Sequence, residues 1–225
     1  GKMSMMIAQN GPGITNFVTA VKTAYWNHTP LLLVTPQAAN KTISVATFAT
    51  RGKEVTVNNL NGYGLSLTGT TTLMANQTYT VLNASASNLV DGLTLAGQVT
   101  GSFGITKAGN GTLALASASN DFNGTLDIQG GVVSVASNGA LGSGNVVQLN
   151  SNTTTGSGLR ATDDFTATGR VIRLNQANNG IEVVAGKTLT LDTAFTFAAA
   201  SNRLYKNDNG TLVLGPENGL VTYTP

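Results

Sequence analysis

The stretch Lys107-Ala-Gly-Asn-Gly-Thr-Leu-Ala-Leu115 returns as Lys206-Asn-Asp-Asn-Gly-Thr-Leu-Val-Leu214, and its centre returns again in Gly124-Thr-Leu-Asp-Ile128. Each copy is a turn that feeds Thr and two apolar residues one position apart. Asn and Gly tolerate positive φ, which makes Asn-Gly a turn former. An apolar-x-apolar triplet after it is a short strand with one buried face. One such unit cannot bury its apolar side alone. Its recurrence therefore points to a stacked array, in which each unit is covered by its neighbours.

From about Ile43 onward this period-two pattern runs through the chain. Val55-Thr-Val57, Leu65-Ser-Leu67, Leu93-Thr-Leu95, Leu113-Ala-Leu115, Leu126-Asp-Ile128, Val133-Ser-Val135, Val147-Gln-Leu149, Ile181-Glu-Val183, Leu189-Thr-Leu191 and Leu212-Val-Leu214 all obey it. Gly-, Asn- and Ser-rich turns separate them. Short, evenly spaced strands of this kind suit a sandwich, a barrel or a β-solenoid. Three-residue strands with so little charge between them favour the solenoid.

Charged residues make up 10% of the 225, against about 25% in an ordinary globular domain. The net charge is +2 and the bases are scattered, with no Lys/Arg cluster to neutralise a row of phosphates. Nucleic acid is therefore not an expected partner. Cysteine is absent, which removes disulfides and thiolate metal sites. No run of roughly 18 apolar residues is present to cross a bilayer as a helix. No basic-then-apolar signal segment opens the chain either.

Residues 1–43 read differently. Met5-Met-Ile-Ala8 is a strand candidate, and Gln9-Asn-Gly-Pro-Gly13 is a breaker. Ile14, Phe17, Val18, Val21, Ala24 and Tyr25 fall at helical spacing, so a helix is expected from Ile14 to about Asn27. Tyr25, Trp26 and Phe17 are read as core rather than as a ligand platform. Leu31-Leu-Leu-Val34 is a buried-strand run. The expected unit is strand–helix–strand, of the kind that makes parallel sheets.

Ile7-Ala-Gln-Asn-Gly-Pro-Gly-Ile-Thr-Asn16 and Ala24-Tyr-Trp-Asn-His-Thr-Pro-Leu-Leu-Leu-Val-Thr-Pro36 resemble the thiamine-diphosphate enzymes, most nearly the sulfoacetaldehyde acetyltransferases. The resemblance implies a piece of a pyrimidine-binding domain, with the Gly-Pro-Gly turn near the cofactor. That chemistry also needs an upstream acid, which this chain begins too late to contain. It further needs a Gly-Asp-Gly motif for magnesium and diphosphate, and no Gly-Asp-Gly occurs in the sequence. The expectation is no cofactor and no thiamine catalysis by this chain.

Leu93 to Leu115, Asn120-Asp-Phe-Asn-Gly-Thr-Leu-Asp-Ile-Gln-Gly-Gly-Val-Val-Ser-Val135 and Asn138-Gly-Ala-Leu-Gly-Ser-Gly144 resemble the autotransporter-associated β-strand repeat. This module belongs to passenger domains of bacterial surface and secreted proteins. It implies a right-handed parallel β-helix, strongest over about 90 to 150.

Few residues offer chemistry. His28 is the single histidine and reads as a helix cap beside Thr29-Pro30. Asp163-Asp164, with Asp121, Asp127, Asp192, Arg160, Arg170 and Arg173, could imitate a carbohydrate lyase or hydrolase only by converging in one groove. A solvated turn explains Asp163-Asp164 as well. Asn-x-Ser/Thr at Asn76, Asn83, Asn110, Asn123 and Asn209 is read as compositional. Gly139 to Gly144 lacks the Lys-Ser/Thr of a phosphate loop.

The sequence thus predicts a mainly β chain. Residues 1–43 form an α/β segment suited to cap one end, and 44–225 form a right-handed parallel β-helix. A non-enzymatic structural or adhesive role outside the cell or on its surface is expected, with no catalytic, cofactor or metal residues assigned. Expected partners are further copies through the helix ends, or a surface glycan or host cell-surface ligand. The alternatives are a β-helical carbohydrate-active enzyme and an inactive thiamine-enzyme fragment fused to a solenoid.

Overall fold

The computed structural model describes residues 3–7, 31–34, 42–46, 52–59, 64–83, 91–151, 158–215 and 221–223. Within them the regular structure is almost entirely strand, and from Thr42 the main strands alternate between two sheets. Thr42–Val45, Gly64–Leu67, Asp91–Leu95, Thr112–Leu115, Val132–Val135, Gly158–Ala161, Asn178–Val183 and Arg203–Asn207 stack in chain order as one sheet. The strands between them stack as the other: Val55–Asn59, Gln77–Asn83, Ile105–Ala108, Leu126–Ile128, Val146–Leu149, Phe165–Leu174, Thr188–Phe197 and Thr211–Leu214. Neighbours within these two stacks are parallel. Each coil thus returns to its own sheet one strand further on, which is a β-solenoid.

All ten apolar triplets of the sequence lie in these strands, with their apolar ends turned inward. In the second stack, Leu126, Val147 and Ile172 are register partners. In the first, Leu65, Leu93, Leu113, Val133, Leu159 and Ile181 form one inward row. Members of that row are fully buried. The rows from the two sheets meet as one continuous aliphatic core. At about 25 cal/mol per Å² of apolar surface, this shared core is what a single coil lacks.

The turns stack as well as the strands. Thr71–Thr72 pairs in parallel with Val99–Thr100 as a short third sheet. The Val99 carbonyl accepts from Asp121 N and Phe122 N, and the Phe122 carbonyl from Ser143 N one coil later. At another corner Gly104, Gly124 and Gly144 lie one above another. A Cβ on Gly124 would collide with the backbone of Phe103 and Gly104, so no larger residue fits that corner.

Met3–Ile7 and Leu31–Val34 run parallel to each other and extend the second stack beyond Val55–Asn59. Both strands expected from the sequence near the front therefore exist, the first two residues earlier than predicted. The helix expected over 14–27, and His28, lie outside the described residues. At the far end Val221–Tyr223 lies antiparallel to Thr211–Leu214. Among the described residues the one helical element is a single 3-10 turn, Gly139–Leu141.

Candidate functional site

The carboxylates singled out in the sequence do not converge. Asp127 faces outward in the middle of the second stack, Asp192 faces outward near its end, and Asp121 is exposed on the third column of turns. Asp163 and Asp164 are adjacent, but both are occupied with holding a turn. Lys187 Nζ donates to Asp163 Oδ1 at 2.7 Å, and Thr188 N donates to Asp164 Oδ1 at 2.6 Å, each from the next coil. The Lys187 hydrogen bond holds the Asp163 carboxyl below its usual range. A general acid needs the opposite shift. Among the described residues no group of three or more His, Asp or Glu is placed to hold a metal ion.

Two of the three arginines singled out in the sequence are structural, and Arg173 faces outward on the second stack. Arg160 and Glu182 are register partners on the outer side of the first stack, 2.6 Å apart and almost entirely buried. Arg170 reaches back one coil to the loop Asn138–Gly144. Its Nε donates to Asn138 Oδ1 at 2.9 Å, and its Nη2 donates to the carbonyls of Asn138 and Gly142 at 3.0 and 3.2 Å. Its Nη1 donates to the Gly144 carbonyl at 3.2 Å. A loop of glycines and small residues leaves carbonyls without partners, and the five-donor guanidinium satisfies several at once. Burial lowers the Arg170 pKa, yet the group stays charged.

Sequence reasoning missed the central buried cation. Lys107 occupies an inward position between Tyr79 and Ile128, where the pattern calls for an aliphatic residue, and it is fully buried. Its Nζ donates to the carbonyls of Ala108, Gly109 and Gly130 at 2.8, 2.9 and 2.9 Å. Three protons meet three acceptors, which only the ammonium form provides. The repeat itself carried the signal, because Lys206 opens the second copy and its Nζ donates to the Asp208 carbonyl. Asn120 does similar work at the third column: its Oδ1 accepts from Val99 N and its Nδ2 donates to the Ala140 carbonyl, both at 2.8 Å. One buried amide so joins three successive coils.

The outer side of the second stack is the open polar surface. Thr78, Thr106, Asp127, Gln148, Arg173 and Thr196 form one outward row by register. Gln148 Nε2 donates to Asp127 Oδ1 at 3.1 Å, and Gln129 Nε2 donates to Asp127 Oδ2 at 2.8 Å. This carboxylate is held at both oxygens, with lone pairs left over for a ligand.

Residues 105–135 match the family model of the passenger-associated-transport-repeat. Residues 1–59 match that of the thiamine pyrophosphate enzyme, N-terminal TPP binding domain. The sulfoacetaldehyde acetyltransferase of Roseovarius nubinhibens is 90% identical over 48 residues, 21% of this chain and 8% of that protein. The same enzyme from Rhodobacter capsulatus is 77% identical, and that from Castellaniella defragrans 50%, over the same share of each chain. This chain therefore spans 8% of the length of the curated relatives it matches. No solved structure matches it. The repeat match covers the coils containing Lys107 and Gly124, and the enzyme match covers the front strands up to Val55–Asn59.

Proposed function

We propose that this chain is a non-enzymatic passenger-type β-helix, displayed outside the cell or on its surface, where it acts as a stiff rod presenting turns and a polar face. The observation that carries this reading is the parallel stacking of coils whose polar side chains are spent on binding one coil to the next. Arg170, Asn120, Lys107 and the Asp163–Lys187 pair all serve that end. The passenger-associated repeat at 105–135 supports the location. Among the described residues no helix is long and apolar enough to cross a membrane.

In the same reading the front segment, residues 1–43, serves as an end cap. Its two strands continue the second stack, where an uncovered edge would otherwise template pairing with another chain. An end that is not covered can dock on the next copy head to tail and grow a fibre. Thiamine chemistry is not part of this reading, since the likeness to the thiamine enzymes spans 8% of their length.

Electron microscopy of the full chain after protease challenge tests the reading. Intact short rods, or fibres built from them, are the expected result. A chain digested to small peptides would contradict it. Calorimetric binding of thiamine diphosphate with magnesium would contradict the non-enzymatic part.

A further inference from the structure

Three large apolar side chains are well exposed among the described residues: Met74, Phe103 and Phe197. Two of them belong to one corner. Met74 lies two residues before Asn76, and Phe103 lies directly before Gly104. Asn76 Oδ1 accepts from Gly104 N at 2.9 Å, which ties the two segments together. Asn76 and Gly104 begin a groove of about 230 Å³ that continues along Thr106, Thr125, Asp127 and Gln148.

The floor of this groove has a definite chemistry. It offers hydroxyls from Thr106 and Thr125, planar amides from Asn76 and Gln148, and the carboxylate of Asp127. Gln148 and Gln129 hold that carboxylate in place, so its spare lone pairs point from a fixed position. The groove lies in the interior of the sheet, where strands pair on both sides, so no backbone edge is free to add a peptide strand. No basic cluster lines it, which disfavours phosphate-rich ligands. A floor of hydroxyls, amides and one carboxylate, with exposed Phe103 next in the chain to Gly104 at its end, suits a ligand with hydroxyls on its edge and C–H groups on its face.

We infer that this groove binds a neutral, hydroxyl-rich glycan. Its rings lie along the solenoid axis, with Asp127 accepting from a hydroxyl pair and Phe103 contacting a ring face. Successive outward rungs are one strand spacing apart, about 4.8 Å. That is close to the rise of one pyranose in an extended chain, so Thr106, Asp127 and Gln148 can each meet a successive sugar. The inference rests on the surface-displayed role proposed above and supplies its ligand class.

The test is titration of the full chain with cellohexaose, chitohexaose, mannohexaose and xylohexaose, read by saturation-transfer NMR and calorimetry. At least one should bind, and Phe103→Ala and Asp127→Asn should each weaken it about tenfold or more. Phe197→Ala, also exposed but at the far end, should leave affinity unchanged. Circular dichroism on each variant separates lost binding from lost fold. No binding by any hexasaccharide, or affinity untouched by both groove variants, would overturn the inference. Neither result would disturb the protease-resistant rod. A chain that bound a hexasaccharide but was readily digested would instead sink the structural reading.

Discussion

Lys107 stands beside Tyr79 in the inward row of the second stack, one coil apart, and the two meet burial in opposite ways. The lysine places its ammonium against three carbonyls. The tyrosine buries a hydroxyl that has no hydrogen-bond partner. One polar group in the core is satisfied and its neighbour is not. Burial accordingly raises the Tyr79 pKa far above its ordinary value.

This contrast sets the sign of two substitutions. Tyr79→Phe removes an unpaired buried hydroxyl and keeps the ring, so stability should stay level or rise by about 1 kcal/mol. Lys107→Met keeps the length but strips three carbonyls of their donor, and should cost about 2–3 kcal/mol. Urea midpoints of the two variants, measured side by side, check both directions.

Burial also pushes the Lys107 ammonium down to about 7 from an ordinary 10.5. The unfolded chain then holds the extra proton between those values, so stability should rise with pH across that window. Below it both states are protonated and the slope should vanish. Urea midpoints at about pH 7 and about pH 10, compared with Lys107→Met as the control, test this. An equal slope in the variant would assign the effect elsewhere.

The buried Arg160–Glu182 pair should behave as a unit. Glu182→Ala alone removes the carboxylate that pairs with a buried guanidinium and should cost about 3–5 kcal/mol. Replacing both by leucine removes the desolvated charges together and should recover most of that loss. A double-mutant cycle on thermal midpoints measures the coupling.

Much of this fold was legible in the residues. The apolar triplets named ten strands because their inward positions are aliphatic. Ile105–Ala108, Gly158–Ala161 and Arg203–Asn207 escaped the pattern for identifiable reasons, whereas Gln77–Asn83 and Phe165–Leu174 carry it at Tyr79-Thr-Val81 and Ile172-Arg-Leu174. Gln77, Lys107 and Lys206 fall on inward rows where the pattern expects aliphatics, and Gly158 and Ala161 leave little apolar signal. The candidate site was less legible. Pairing between coils brings residues 21 to 32 positions apart into contact, so Arg170 on the Asn138 loop and Gln148 beside Asp127 follow from register, which composition does not carry.

Two glycines separate close approach from backbone conformation. Gly186 has φ +75° with open space around its missing Cβ, so Gly186→Ala should cost about 1–2 kcal/mol from the left-handed conformation alone. At Gly124 a Cβ meets the backbone of the preceding coil, and Gly124→Ala should cost about 3 kcal/mol through displacement of that corner. The ordering of the two urea midpoints is the check.

The central claim is that each coil lies parallel and in register on the one before it. The chain has no cysteine, so an introduced pair reports without interference. Ala114 and Ser134 are register partners on the outer side of the first stack, whereas Val133 points into the core. Under mild oxidation, Ala114→Cys with Ser134→Cys should form an intramolecular disulfide, because parallel neighbours lie within its reach. Ala114→Cys with Val133→Cys should remain reduced. Bridging of the second pair but not the first would contradict the register and with it the solenoid.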